Sequence, residues 1–313
     1  MNRFNKILFV ADDSKGVAAA LKKTLELAKD IKASVTVIDV LEDPIEIFPV
    51  TEGTANMFTL HDELKEVRQK ELEKLVKSAK PRNSKISVPV LLKEGKDFIE
   101  IIRTVQKDGF DLVVKACGKP HLTGVLFSSL DMSLVRKCPC AVYIMKPRKK
   151  ISHSRVLAAL DLRSKDKTSK NLDRTVIELA NYLSSQEQGE LHLLHAWHLS
   201  FEQRLKNRQG IKTTYKSVET MLRDMRKVEK AHLAEIAKEY ELANSSTHLI
   251  KGDPATVIPR FAKSKRVDLL VMGTIARTGI QGFFMGNTAE KVLGTINCSI
   301  LAVKPAGWKS PVK

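Results

Sequence analysis

The chain has 313 residues, of which 53 are Lys or Arg and 36 are Asp or Glu, so its formal net charge is +17. That length suits two domains with their own cores, and a hydrophobic content of 43% argues against an intrinsically disordered chain. Four cysteines without framework spacing argue against a secreted disulfide scaffold, and no stretch approaches the roughly 18 apolar residues of a membrane span, so we expect a cytoplasmic protein without a transmembrane helix.

Apolar runs alternate with segments of helical periodicity along the whole chain. In the first half the pattern predicts strands at 7–11, 35–40, 86–92, 112–114 and 141–145, and helices at 17–28, 60–79, 98–106 and 130–137. In the second half it predicts strands at 156–160, 190–197, 247–250, 268–272 and 299–303, and helices at 172–184, 216–241, 255–263 and 287–295. This alternation is typical of βαβ units. The predicted fold class is therefore α/β, with two tandem Rossmann-like domains, each a five-stranded, mainly parallel sheet with helices on both faces.

The second half repeats the first. The segment Ile7–Asp12 resembles Val156–Asp161, and Cys140-Ala-Val-Tyr-Ile-Met-Lys-Pro matches Cys298-Ser-Ile-Leu-Ala-Val-Lys-Pro. A short basic linker separates the two copies after Pro147. We therefore expect domains at 1–148 and 152–313, packed as an internal pseudo-dimer that satisfies within one chain the contacts a single-domain relative makes between chains; a homodimer of the whole chain is the other arrangement.

Ligands of open α/β sheets bind at the carboxyl ends of the strands, where the strand order reverses. In the second half this point lies near Asp161 and Met272, and it is followed by Gly273 and by Gly286 before a helix. Glycines and a helix N-terminus together form an anion site, to which Arg277 adds a cation. The alternative is a glycine-rich turn that caps a helix without binding a ligand, with Asn287 or Thr288 as the N-cap.

The stretch Met272–Thr288 resembles the nucleotide loop of the universal stress proteins, Gly-x-x-Gly-x9-Gly-(Ser/Thr). The first strand ending in Asp161, the second reading Leu-Leu-His-Ala up to Ala196, and the closing Cys-x-x-Leu-x-Val-Lys-Pro from Cys298 are similar to the same family over nearly the whole chain. The resemblance implies a stress-response protein of binding or regulatory type, which holds ATP with magnesium, or a related adenine nucleotide, in the second domain and hydrolyses it slowly at most.

The resemblance also assigns roles to individual residues. Asp161 and Met272 lie beside the nucleotide at the ends of the first and fourth strands, and Ala196 lies at the adenine edge. Gly273, Gly286, Asn287 and Thr288 cradle the ribose and phosphates, with Arg277 as a basic residue near them. Two departures weaken the match, because Ala276 stands at the second glycine and Asn287 at the usual Ser or Thr.

The first half has lost this loop, since Ala116, Lys119 and Ser128 stand at its three glycine positions. Lys115 replaces the methionine at the end of the fourth strand. We expect an ion pair between Lys115 and Asp12, which would fill part of the pocket; the alternative is that Lys115 binds an acidic ligand. The segment 41–58 is long enough for a lid, but a plain connection is favoured.

Other candidates favour structural roles. His192 and His198 lie too far apart on a straight strand to chelate one ion, and His195 is expected to be a satisfied core histidine. Cys138-Pro139-Cys140 has the spacing of neither a zinc site nor a thioredoxin-like motif.

Two further functions stay open at this stage. The first is binding of another small ligand, such as a lipid or a nucleotide-sugar, in the first domain or between the domains. The second is weak association with nucleic acid, suggested by the net charge, although that charge is spread over both halves and a solvated basic surface is the favoured explanation. No catalytic base, nucleophile or metal-ligand set can be named.

Overall fold

The computed structural model describes residues 4–42, 55–81, 86–118, 127–147, 151, 153–163, 166–198, 215–242, 246–274 and 285–313. The first half contains the strands β1 (Lys6–Val10), β2 (Ser34–Leu41), β3 (Val90–Glu94), β4 (Leu112–Ala116) and β5 (Ala141–Met145). Its helices are α1 (Val17–Ile31), α2 (Ala55–Ala79), α3 (Asp97–Asp108) and α4 (Ser129–Lys137).

The second half repeats this order. Its strands are β6 (Arg155–Leu160), β7 (Glu190–Trp197), β8 (Thr247–Lys251), β9 (Leu269–Gly273) and β10 (Ser299–Val303). Its helices are α5 (Lys167–Ser185), α6 (Tyr215–Glu239), α7 (Pro254–Ser264) and α8 (Asn287–Thr295). The strand–helix alternation predicted from the sequence is therefore present in both copies.

The two halves share one ten-stranded sheet of order β3-β2-β1-β4-β5-β10-β9-β6-β7-β8. Neighbouring strands are parallel within each half, whereas β5 and β10 pair antiparallel, with Tyr143 opposite Leu301. In both halves the order reverses between the first and fourth strands, which is where the sequence placed the ligand edge.

Helices cover both faces of the sheet, because the strands are apolar on both sides. Phe9 and Val271 belong to the core under α1, α2, α5 and α6, whereas Leu8 and Leu270 belong to the core under α3, α4, α7 and α8. Equivalent helices of the two halves therefore lie on the same face of the sheet.

Two predicted boundaries were wrong. The third strand was expected at 86–92 but runs over Val90–Glu94, because Pro89 has no N–H to donate to a ladder and only its carbonyl pairs, with the N–H of Val37 at 2.9 Å. Helix α5 begins at Lys167, earlier than expected, since Asp166 caps it by accepting the N–H of Ser169 at 2.8 Å.

A buried polar cluster joins the halves beside β5. The Tyr143 hydroxyl lies 2.6 Å from Nε2 of His153, and Lys23 pairs with Glu187 at 2.5 Å. Glu187 also accepts the backbone N–H of His153 at 2.9 Å. Burial, together with the positive charge of Lys23, lowers the pKa of His153 to about 4, although Glu187 opposes the shift. Among the described residues, no helix is both long and apolar enough to cross a membrane.

Candidate functional site

The strand register brings the predicted second-half residues to one edge of the sheet. Ala159 on β6 pairs with Met272 on β9, and Leu160 pairs with His195 on β7. Asp161 and Ala196 follow Leu160 and His195 and lie level with each other, and Gly273 follows Met272 one position earlier along the edge, so the three residues lie close together at the carboxyl ends of adjacent strands. Asp161 is exposed there, whereas Ala196 and Met272 are buried.

Helix α8 begins beside this edge. The N–H of Gly286 donates to the carbonyl of Thr274 at 3.0 Å, and the Gly286 carbonyl accepts the N–H of Glu290 at 3.0 Å. Gly286 is therefore the N-cap, and the expectation that Asn287 or Thr288 caps the helix was wrong, because both already lie in its first turn. No described side chain caps α8, so the partial positive charge of its N-terminus is not compensated by a described capping group.

Gly273 has a packing role of its own. A Cβ atom at this position would lie 2.7 Å from Cδ2 of Leu172, so the glycine lets α5 approach the end of β9 closely. The glycine at the first loop position is therefore explained by packing whether or not a ligand binds.

A partly buried carboxyl group lies under the edge. Oδ1 of Asp173, on α5, accepts the backbone N–H of Asp161 at 3.2 Å. Burial raises the pKa of Asp173 to about 7; the N–H of Asp161 opposes this shift, and the charges of Asp161 and Asp166 add to it. This group lacked a motif, and sequence analysis missed it.

Of the predicted second-half residues, the structure brings together Asp161, Ala196, Met272, Gly273, Gly286, Asn287 and Thr288. Arg277, Ala276 and the rest of the glycine loop lie outside the described residues. The first-half loop with Lys119 and most of the segment 41–58 lie outside them too, although α2 already begins at Ala55.

The corresponding point of the first half is filled by charged side chains. Lys115 is fully buried, and its Nζ lies 2.7 Å from the Asp12 carboxylate, so the predicted ion pair is present. The same ammonium donates to Ser14 Oγ at 3.1 Å and to the carbonyl of Ala116 at 2.9 Å.

A second carboxylate, which sequence analysis missed, completes this cluster. Asp131 on α4 is fully buried and lies 2.9 Å from Lys115 Nζ. It accepts the N–H groups of Gly118 at 3.0 Å and Ser128 at 2.8 Å, and Ser128 Oγ accepts the N–H of Asp131 at 3.1 Å. This is a capping box, and the spacing Ser128-x-x-Asp131 was its signal. Burial lowers the pKa of Lys115, but Asp131 and Asp12 outweigh burial and raise it above its ordinary value.

Position by position, the two halves differ at this point. Lys115 and Met272 pair with equivalent residues of the first strands, Val10 and Ala159. Helices α4 and α8 have equal lengths and precede the equivalent strands β5 and β10 by the same interval, so Asp131 corresponds to Ala289. The first half thus places its own carboxylate at the start of the helix, whereas the second half has apolar residues at both positions.

A second pair of equivalent positions also differs in charge. In the first half Arg68 on α2 lies 2.6 Å from Asp39 and donates to the carbonyl of Ala11 at 2.9 Å. In the second half His195 takes the place of Asp39: its Nδ1 lies 3.1 Å from the carbonyl of Leu160, and its Nε2 lies 3.4 Å from Glu229 on α6. His195 is buried, as predicted, and the described residues contain no group of three or more metal-ligating side chains.

Two copies of one Rossmann-like unit, joined edge to edge, define a tandem-domain α/β protein. The model of the universal stress protein family matches residues 3–146 and 153–304. The chain therefore belongs to the universal stress protein family, whose members are stress-response proteins.

Two curated relatives are similar to this chain over most of their length. The chain is 28% identical to universal stress protein E of Escherichia coli K12 over 232 aligned residues, and this alignment covers 72% of each chain. It is 24% identical over 320 residues to universal stress protein E of Photorhabdus laumondii, which covers 100% of this chain and 99% of that one.

Two solved structures share the fold. A protein of unknown function from Pseudomonas aeruginosa PAO1 superposes with a TM-score of 0.68 at 22% identity, covering 97% of this chain and 94% of that one. A universal stress protein from Archaeoglobus fulgidus superposes with a TM-score of 0.60 at 18% identity, covering 96% of this chain and 99% of that one.

Proposed function

We propose that this chain binds an adenine nucleotide in its second half and acts in the stress response through that binding, as a regulatory protein and not as a catalyst. The observation that carries the proposal is the difference at the helix start. In the first half Ser128 and Asp131 form a capping box at the start of α4, whereas in the second half Gly286 precedes α8 with no described side-chain cap.

The chemistry of the edge suits a nucleotide phosphate. Backbone N–H groups at the start of a helix bind phosphate oxygens, and the helix dipole favours negative charge. The exposed residues Asn287 and Thr288, in the first turn of α8, offer side-chain donors beside these N–H groups.

The neighbouring strand ends suit the rest of the nucleotide. Ala196 and Met272 give an apolar surface for the base, and the exposed carboxylate of Asp161 can accept a ribose hydroxyl. Magnesium would enter with the phosphates and neutralise part of their charge.

The main alternative, a lipid, finds little support in the described residues. The apolar crevice where the halves meet, beside Tyr143 and Tyr182, has a volume of about 50 Å³, which is too small for an acyl chain. The equivalent of the nucleotide edge in the first half is filled by the Lys115 cluster.

The test is a thermal-shift titration of the purified chain with ATP, ADP and AMP, each with and without magnesium. A ligand of the folded state raises the Tm in proportion to the logarithm of its concentration above the Kd. The Gly286→Leu variant, once circular dichroism shows that it is folded, should lose the shift, whereas Asp12→Asn, in the first half, should keep it. The proposal fails if the wild type shows no shift up to millimolar nucleotide, or if both variants shift as the wild type does.

A further inference from the structure

Two cysteine thiols meet at the corner between α4 and β5. The Sγ atoms of Cys138 and Cys140 lie 3.5 Å apart, within hydrogen-bond contact of each other. Cys138 is the C-cap residue of α4, and its N–H donates to the carbonyl of Leu134 at 2.9 Å. The spacing Cys-Pro-Cys differs from that of a thioredoxin motif, yet the fold brings the two sulfur atoms together.

The two thiols differ in access. Cys138 has no exposed surface, whereas Cys140 is partly exposed. Cys140 is therefore the residue of the pair that solvent reaches, and its sulfur lies 3.5 Å from that of Cys138.

A buried cation lies beside the pair. Nζ of Lys304, which follows β10, donates to the carbonyl of Val135 at 2.6 Å in the last turn of α4. Burial raises the pKa of the Cys138 thiol, but its bonds with Cys140 and the charge of Lys304 outweigh burial and lower it below its ordinary value. The bond with Cys138, together with burial, raises the pKa of Cys140. Loss of one proton from the pair therefore leaves a thiolate that the other thiol stabilises by a hydrogen bond, with the charge of Lys304 nearby.

The other cysteines lack this arrangement. Cys298 in the second half is equivalent to Cys140, but Ile296 stands where the first half has Cys138. Burial, with the negative charge of Asp131, raises the pKa of Cys117 to about 12, so that thiol resists ionisation.

We propose that Cys138 and Cys140 are a redox-active dithiol, which a peroxide oxidises to an intrachain disulfide and which small thiols reduce again. In the first step the thiolate of the pair attacks the peroxide; its sulfur takes one oxygen and becomes a sulfenic acid, and the other oxygen leaves as water. In the second step the sulfur of the other cysteine attacks the sulfenic acid; the S–S bond forms, the S–O bond breaks, and the hydroxide leaves as a second water with the proton of that thiol. The two thiols together lose two electrons, and the peroxide gains them.

The chain offers a convenient readout. Trypsin cleaves after Lys137, resists the Lys146–Pro147 bond and cleaves again after Arg148, so both cysteines fall in one peptide, 138–148. The full-length chain is incubated with hydrogen peroxide until the reaction stops and is then treated with catalase. It is alkylated with N-ethylmaleimide under denaturing conditions and digested with trypsin, and the peptide masses are measured by mass spectrometry. A dithiothreitol-treated sample run in parallel gives the reduced reference.

The expected product is peptide 138–148 about 2 Da lighter than its reduced form and without maleimide, and dithiothreitol should restore two maleimide sites. The control Cys138→Ile copies the second half. It should give no 2 Da loss, and Cys140 should instead progress to a sulfinic acid, about 32 Da heavier. The milder Cys138→Ser serves the same purpose if the isoleucine disturbs folding.

Two results would overturn the proposal. One is a wild-type peptide that keeps both maleimide sites after peroxide treatment that fully oxidises free dithiothreitol. The other is over-oxidation of Cys140 at the same rate in the wild type and in Cys138→Ser, since a resolving thiol must protect it.

Discussion

The two halves of the chain share a fold but differ in the side chains around the start of the helix beside the point where the strand order reverses, α4 in the first half and α8 in the second. In the first half the protein supplies both charges: Asp131 binds the backbone N–H groups, and Lys115 binds Asp131. In the second half Met272 and Ala289 stand at the same positions and supply neither. The same fold thus carries an internal ion pair in one half and apolar side chains at the equivalent positions of the other.

The variant with the largest expected effect removes the cation of the first half, Lys115. Lys115→Met, which copies Met272, leaves the buried carboxylate of Asp131 without its cation, and the free energy of unfolding should fall by about 3–5 kcal/mol. Urea unfolding monitored by circular dichroism gives the value.

The double variant Lys115→Met with Asp131→Ala copies both second-half residues and is the control. It should recover more than half of the loss, because the stranded charge is gone and the N-cap Ser128 stays, so that only the acceptor of the Gly118 and Ser128 N–H groups is missing, at about 1 kcal/mol. A double variant as unstable as the single one would show that Asp131 is not the partner that makes Lys115 necessary.

The second test compares the pairs at the ends of β2 and β7. Arg68→Ala leaves the nearly buried carboxylate of Asp39 alone and should cost about 2–3 kcal/mol at pH 7, whereas Glu229→Ala leaves only an imidazole, His195, and should cost about 1 kcal/mol. Burial already raises the pKa of Asp39, and Arg68 opposes that shift. The Arg68→Ala loss should therefore shrink as the pH falls and Asp39 takes up a proton. Equal losses for the two variants at every pH would contradict this account.

The third test concerns the turn before the second strand of each half. Ala33 and Gly189 donate to equivalent carbonyls, of Ala28 and Ser184, each at 2.8 Å. A Cβ on Gly189 would lie 2.7 Å from the backbone carbonyl oxygen atoms of both His153 and Ser154. Gly189→Ala should therefore lower the free energy of unfolding by about 2 kcal/mol, because the backbone must shift. The reverse change, Ala33→Gly, should cost less than about 1 kcal/mol. A neutral Gly189→Ala in thermal unfolding would show that this turn is looser than described.

The smallest effect is expected from Asp173. A carboxyl group whose pKa is raised in the folded state stabilises the fold at low pH, and that stability is lost as the pH rises from about 4 to about 7. Asp173→Asn removes this dependence and should raise the free energy of unfolding by about 1–2 kcal/mol at pH 8 and by little at pH 4, after allowance for partial exposure. Urea unfolding at both pH values measures it, and a gain independent of pH would place the cause elsewhere.

Sequence patterns predicted what depends on local periodicity and on strand register. Asp12 and Lys115 end adjacent strands, so their ion pair followed from the predicted strand order alone. The adjacency of the first and fourth strands followed from the strand order of doubly wound α/β sheets. Asp131 was missed because its partner depends on how α4 packs over the edge, although its capping box was readable. The pairing of Glu229 with His195 could not be predicted, since nothing local fixes which face of a 25-residue helix meets β7. The antiparallel junction of β5 and β10 is likewise a contact between distant segments without a local signature.

That junction has a geometrical consequence for any partner of the molecule. The strands β5 and β10 run in opposite directions, and every other neighbouring pair is parallel. The carboxyl ends of the strands therefore lie at one end of the sheet in the first half and at the opposite end in the second half. The proposed nucleotide edge and the Lys115 cluster therefore open toward opposite directions. A compact partner that binds beside the start of α8 therefore cannot contact the equivalent region beside α4 at the same time. One chain thus has two separate surfaces for partners.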